Sequence, residues 1–374
     1  MVSPHIIRTA LQEAVHDGVF PGAVLAVRAG GQERFILPVG RLTCDPESSP
    51  VTESTIYDLA SLTKPLATVT SLLLLFQQGR CSLETSVEEV LQSFQGSAIG
   101  TATVRDLLTH SSGLPGWRPI YERLAQMGPG VAPLHSDMLR NSLETILRNE
   151  PLIYPRGSKS LYSDLGFILL GLMIEHTTGL PLDRWFDDAV AMPFGAPLLG
   201  YRPTTKFSSQ LGGGEKTAMR IAPTESNAWR DGVTRHEVHD ENAAAMRGVA
   251  GHAGLFGTAE SVLAISGAWL KAYHSTGCRL EHSLVRQWVA HQNISNSSWA
   301  LGWDTPSKDS SSGQYFSEQS FGHLGYTGTS LWIDPVKRIE VVLLSNRVHL
   351  GHDNNKIRTF RPRIHDLIMQ ECAT

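Results

Sequence analysis

Apolar residues recur every three to four positions over residues 6–19 and stop at Phe20-Pro21-Gly22, which predicts an amphipathic helix closed by turn residues. Two short apolar runs follow, 23–27 and 35–39, and read as strands joined through Gly30-Gly31. The most apolar stretch of the chain, 69–76, is only about two helical turns and falls far short of the roughly 20 residues that span a bilayer. It is predicted to be a buried core helix starting at Ser61, with Ser61 as N-cap and Pro65 in the first turn, where a missing N–H costs little.

Between about 81 and 270, helical periodicity at 104–110, 143–148, 165–177 and 259–272 alternates with long loops rich in Gly and Pro. Strand signals return at 330–333 and 339–344, flanking the turn Asp334-Pro335-Val336-Lys337, and a helical stretch from about 355 to 370 follows. The economical arrangement is α/β, of the α+β kind. Residues 1–80 and 270–374 supply an antiparallel sheet flanked by helices, and 81–269 form an inserted, mainly helical domain. No internal repeat is present, and only 307–313 resembles low-complexity sequence.

Composition narrows the function classes. With 41% hydrophobic and 18% charged residues over 374 positions, the chain can bury a core of ordinary size and wholesale disorder is excluded. The net charge of −4, without any Lys/Arg run, argues against a nucleic-acid partner. Cys44, Cys81, Cys278 and Cys372 are far apart in sequence and form no C-x-x-C pair, so reduced thiols are expected. The first residues lack the charged, apolar, small-residue pattern of a secretory signal. A cytoplasmic location without membrane attachment is the expectation, or a periplasmic one if a signal was trimmed.

Candidate chemistry centres on Ser61-Leu62-Thr63-Lys64, the only S-x-x-K in the chain. A serine hydroxyl is a poor nucleophile until a base takes its proton, and a Lys one helical turn later places an amine beside it. Lys64 also opens an apolar helix, where partial desolvation favours loss of its proton. Taken alone, the motif is weak, because a chain with this much Ser shows about one S-x-x-K by chance, and a helix cap with a surface lysine would be the better reading. No G-x-S-x-G elbow surrounds any serine, so the α/β-hydrolase route to ester cleavage is absent.

Ile56-Tyr57-Asp58-Leu59-Ala60-Ser61-Leu62-Thr63-Lys64 resembles the nucleophile segment of class C β-lactamases, D-Ala-D-Ala carboxypeptidases and related esterases. Leu107-Leu108-Thr109-His110-Ser111-Ser112-Gly113-Leu114-Pro115 resembles the family's segment before its active-site loop, and Tyr162-Ser163-Asp164 falls where the family has Y-x-N. Gly322-His323-Leu324-Gly325-Tyr326-Thr327-Gly328-Thr329 resembles the strand motif written K-T-G or H-x-G. The resemblance runs from about residue 20 to 350 with its elements in order. It implies a β-lactamase/transpeptidase-like fold with the site between sheet and helices, and chemistry that requires no cofactor and no metal. It further implies Ser61 as nucleophile, Lys64 and Tyr162 jointly handling its proton, and backbone N–H groups of Ser61 and Tyr326 as an oxyanion hole, with Gly325 letting substrate approach.

Two departures from the β-lactamase pattern matter. Asp164 stands where Asn is usual, and a carboxylate near Lys64 favours the charged amine, shifting the base role toward Tyr162. His323 replaces Lys, and a neutral imidazole gives a substrate carboxylate no permanent cation. Small esters or amides are therefore favoured as substrates over β-lactams or D-Ala-D-Ala termini. Acyl transfer to an alcohol or amine, and a non-catalytic ligand-binding relative, are the further alternatives.

His252, between glycines in the 248–256 segment, is a candidate for lining the pocket. His236, His239 and Asp240 are read as structural or substrate-contacting, since their spacing lacks the i, i+4 face of H-E-x-x-H. His110 is expected to cap or pack, and Trp117 and Tyr121 to pack. The turn at His349-Leu350-Gly351-His352-Asp353 is expected to be exposed.

Overall fold

The computed structural model describes residues 4–30, 33–126, 137–201, 220–227, 232–233 and 236–372. Its strands are β1 (Gly22–Ala29), β2 (Glu33–Gly40), β3 (Tyr57–Asp58), β4 (Leu199–Tyr201), β5 (Ser226–Asn227), β6 (Gly232–Val233), β7 (Leu255–Gly257), β8 (Phe321–Leu324), β9 (Ser330–Asp334) and β10 (Ile339–Ser345). The main sheet has the order β2-β1-β10-β9-β8 and is antiparallel throughout. First and last strands meet at its centre, with Ala23 opposite Ser345 and Ala29 opposite Ile339.

The central strands are apolar on both faces because helices cover both. Val24, Ala26, Val342 and Leu344 point into the large core shared with the middle of the chain, and the helix Ala259–His274 packs on that face. Ala23, Leu25, Val27 and Leu343 alternate to the other face. There they meet Ile7 and Leu11 of the helix Pro4–His16, and Phe360, Ile364 and Ile368 of the helix Ile357–Cys372. This period of two is what a pleated strand imposes on a continuous apolar run. The buried core crosses from sheet to helices without a break. No single helix among the described residues is long and apolar enough to cross a membrane.

The remaining expected helices are Val104–Leu108, Asp137–Arg148 and Asp164–Thr178. Gly31 of the expected β1–β2 turn lies outside the described residues. Two features differ from the expectation. A three-stranded sheet β3-β7-β4 joins the nucleophile segment to the middle of the chain, through strands of only two or three residues that are too short to show alternation. Moreover, Ser61 does not cap a helix: it lies in a 3-10 turn, Ala60–Leu62, followed by a π-helical stretch, Lys64–Val69, and only then by the α-helix Thr70–Gln77. Thr70 marks the join, its hydroxyl bonding the Pro65 carbonyl five residues back at 2.9 Å. π-Turns of this kind concentrate at functional sites.

Candidate active site

The nucleophile segment is held under strain. Ala60 has φ +48°, a conformation that costs a residue with a Cβ about 1–2 kcal/mol. Asp58 holds it there: its buried carboxylate accepts the Ala60 N–H at 2.8 Å and the His239 N–H at 2.6 Å. The turn so formed leaves Ser61 partly exposed between Tyr162, His323 and Tyr326 on one side and Trp117, Asp164 and Asp240 on the other.

Lys64 is completely buried, and its ammonium spreads three hydrogen bonds over Ser61 Oγ (3.0 Å), Asp164 Oδ1 (2.7 Å) and the His252 carbonyl (3.0 Å). The last partner depends on a glycine. A Cβ at Gly251 would collide with the Phe167 carbonyl, so only glycine lets this loop lie against the helix Asp164–Thr178 and bring the His252 carbonyl to the amine. Burial pulls the Lys64 pKa down, but the charge of Asp164 and the neighbouring Tyr162 outweigh it and the net shift is upward. An ammonium has three protons and no lone pair, and all three are engaged. The half-buried Tyr162 ring lies beside the ammonium, its centroid 4.8 Å from Lys64 Nζ, and its phenol is close enough to Ser61 and Lys64 to be influenced by both. Burial raises its pKa, an effect that Lys64 partly opposes and Asp164 reinforces.

His110 orders this corner. Its imidazole Nδ1 accepts the Ser163 N–H at 3.0 Å and its carbonyl accepts the Leu161 N–H at 2.8 Å, so it grips the backbone on both sides of Tyr162. Its own φ is +55°. The expectation of a packing role understated it: His110 shapes the segment that carries Tyr162 and Asp164.

His323 sits on β8 opposite Leu331 and is 3% exposed. Its Nδ1 lies 2.7 Å from the Leu324 carbonyl, which can only accept, so the proton is on Nδ1 and Nε2 carries the lone pair. That Nε2 is buried without a protein partner among the described residues. Burial, then the charge of Lys64, push the pKa down to about 3, so the ring is neutral at physiological pH. It is an acceptor and gives a carboxylate nothing to bind.

The turn after β8 is tied to the nucleophile segment by Thr327 Oγ1 to the Asp58 carbonyl (2.8 Å) and Thr329 Oγ1 to the Leu59 carbonyl (3.0 Å). Gly325 makes this approach feasible, since a Cβ there would meet Thr329 Oγ1 and the Leu59 carbonyl. Among the described residues nothing accepts the Tyr326 N–H.

His252 differs from its expected place. The imidazole is 1% exposed and pairs with Asp240 at 2.8 Å instead of lining the cleft, so it serves through its carbonyl on Lys64. Asp240, whose carboxyl His252 holds well below the usual range despite burial, caps the helix Glu241–Ala245 through the Ala243 N–H. His239 pairs with Glu225 at 3.0 Å. The four cysteines are free thiols.

The structure thus gathers a serine, a lysine and a tyrosine between an antiparallel sheet and a helical layer. The Beta-lactamase family model matches residues 7–364, and the chain belongs to that family of serine hydrolases, which also includes penicillin-binding-protein-like members. It is similar to a putative D-alanyl-D-alanine carboxypeptidase of Escherichia coli K12, at 32% identity over 317 residues, covering 80% of this chain and 70% of that one. Among solved structures it superposes on EstCE1, described as a hydrolase with promiscuous acyltransferase activity (TM-score 0.70, 19% identity, 96% and 98% of the two chains). It superposes likewise on a class C beta lactamase from Rhodobacter sphaeroides (TM-score 0.68, 20% identity, 96% and 99%).

Proposed function

We propose that this protein hydrolyses small, uncharged carboxylic esters through an acyl-enzyme on Ser61. In the fraction of enzyme whose Tyr162–Lys64 pair has already lost one proton, Ser61 Oγ bonds to the ester carbon as its own proton passes to that pair and the carbonyl electrons move onto oxygen, facing the Ser61 and Tyr326 N–H groups. Collapse expels the alcohol, which takes the proton back. Water then repeats the sequence and releases the acid, regenerating the Ser61 hydroxyl. The observation that carries the ester preference is His323: a buried, neutral imidazole with an acceptor Nε2 stands where a carboxylate-bearing substrate would need a cation.

A second reading, D-Ala-D-Ala carboxypeptidase or β-lactamase, is favoured by the exposed Arg358 on the cleft wall, which offers a charge to a substrate carboxylate, and by the similarity to the putative carboxypeptidases. Turnover of p-nitrophenyl butyrate, a chromogenic cephalosporin and a peptide ending in D-Ala-D-Ala, compared side by side, separates the two. Ester cleavage at least tenfold more efficient in kcat/KM than either carboxylate substrate is expected. The reverse order would discard the ester assignment.

Asp164 raises the pKa of both Lys64 and Tyr162, so its removal acts on either candidate base in the same direction. In Asp164→Asn the rising limb of the pH profile of kcat/KM is expected to move to lower pH by about one unit. A superimposable profile would take Asp164 out of the proton-handling set.

A further inference from the structure

Arg361 is a buried cation that the chemistry above does not use. It lies in the helix Ile357–Cys372, is 6% exposed, and no carboxylate among the described residues comes within ion-pair distance of it. Burial and the nearby Arg347 and Arg358 push its pKa down to about 9, which still leaves it charged at neutral pH. An uncompensated buried charge is costly, and its position therefore needs a reason.

Its two hydrogen bonds supply one. Arg361 Nη2 donates to the Gly325 carbonyl and to the Thr329 carbonyl, each at 2.8 Å. These two residues close the turn after β8, where the Gly325 N–H bonds the Thr329 carbonyl at 2.7 Å. The Gly325 carbonyl belongs to the same peptide unit as the Tyr326 N–H. A positive donor on the oxygen end of an amide withdraws electrons through the conjugated C–N bond and makes the N–H at the other end more acidic and a stronger donor. No substrate atom need touch the guanidinium for this to operate.

We propose that Arg361 is a positioning residue of the oxyanion hole, which fixes the Gly325–Thr329 turn and polarises the Gly325–Tyr326 peptide so that the Tyr326 N–H binds the developing oxyanion more strongly than the ground-state carbonyl. The inference rests on the acyl-enzyme reading of Ser61 and goes beyond it by placing part of the transition-state stabilisation in a side chain 300 positions from the nucleophile in sequence, on the wall of the same cleft. Interactions stronger in the transition state raise kcat and leave KM nearly untouched. Loss of a whole oxyanion donor costs about 10²–10³ in kcat, and weakening one donor is expected to cost about tenfold or more.

The test compares the parent with Arg361→Gln, which offers an uncharged donor, and Arg361→Lys, which keeps the charge. Each is assayed for p-nitrophenyl butyrate kinetics, inhibition by phenylboronic acid, Ser61 labelling by a fluorophosphonate, and thermal unfolding. Phenylboronic acid forms a tetrahedral adduct with a reactive serine and so reports the hole itself. Arg361→Gln is expected to lose about tenfold in kcat with KM within about twofold, and to weaken phenylboronic acid by a similar factor, with Arg361→Lys recovering most of both. An unchanged kcat in folded Arg361→Gln, or a fall in kcat without loss of boronate affinity, would overturn the role of Arg361 while Ser61 labelling in the parent still upheld the hydrolase reading. Should Arg361→Gln prove too unstable to assay, folded Arg361→Lys decides the matter: boronate affinity near the parent's supports the polarising charge, and affinity lost with the hydrogen-bond geometry refutes it. Absence of a Ser61 adduct in the parent would overturn the hydrolase reading itself, and this inference with it.

Discussion

Ser61→Ala is expected to lower kcat/KM on p-nitrophenyl butyrate by at least about 10³-fold, because among the described residues no second hydroxyl stands at the junction of Lys64 and Tyr162 to take its place. Its thermal unfolding should match the parent's. Ser61 is partly exposed, and the Lys64 proton that loses its acceptor can turn to water in the cleft. Release of p-nitrophenolate and a thermal melt check both halves. Residual turnover above about a tenth of the parent's would place the nucleophile elsewhere.

Lys64→Met should behave differently. It removes the same chemistry, with an expected loss of about 10³-fold or more in kcat, but it also takes away one side of a buried ion pair and orphans the His252 carbonyl. Breaking a pair of this kind costs about 3–5 kcal/mol, so the variant should unfold at clearly lower temperature. The sign with pH follows from the raised Lys64 pKa: its stabilising contribution is whole below the ordinary lysine value of 10.5 and is lost as pH climbs through the higher folded value. The stability deficit of Lys64→Met should therefore be constant across neutral pH. A variant as stable as the parent would mean that the ion pair contributes nothing net.

The structure brings these two residues together with Tyr162 and His323, and the sequence could single out all four because each sits in a short motif that resembles one of the family's. The long helices were legible because their apolar faces repeat at 3.6 residues, and the central strands because β-branched runs end in turn residues. What stayed hidden was set by contacts between distant segments. The strain at Ala60 depends on a carboxylate that also bonds the backbone of residue 239, and nothing in an alanine announces a positive φ. His252 looked like a cleft residue from its flanking glycines, yet Gly251 admits the backbone and the imidazole turns to Asp240. Arg361 carries no motif at all; only the packing of its helix behind the β8–β9 turn gives it meaning.

On the proposed reading, substrate choice turns on the contrast between His323 and Arg358 in one cleft. The imidazole lines the cleft with the nucleophile and is neutral, while the guanidinium stands on the exposed wall, where salt screens it. A carboxylate substrate drawn by Arg358 should therefore lose affinity steeply as ionic strength rises, and a neutral ester should not.

The pairing of β1 with β10 has a consequence for how the protein is made. Ala23 finds its partner in Ser345, and among the described residues β2 pairs with β1 alone, so these two strands have only each other to pair with until about 300 further residues have been made. Contacts so distant along the chain make for slow folding and a long exposure of unpaired strand edges. The site, which needs the β8–β9 turn against the nucleophile segment, can come into being only after that turn has been made, so nascent chains should depend on helper proteins that shield those edges in the meantime.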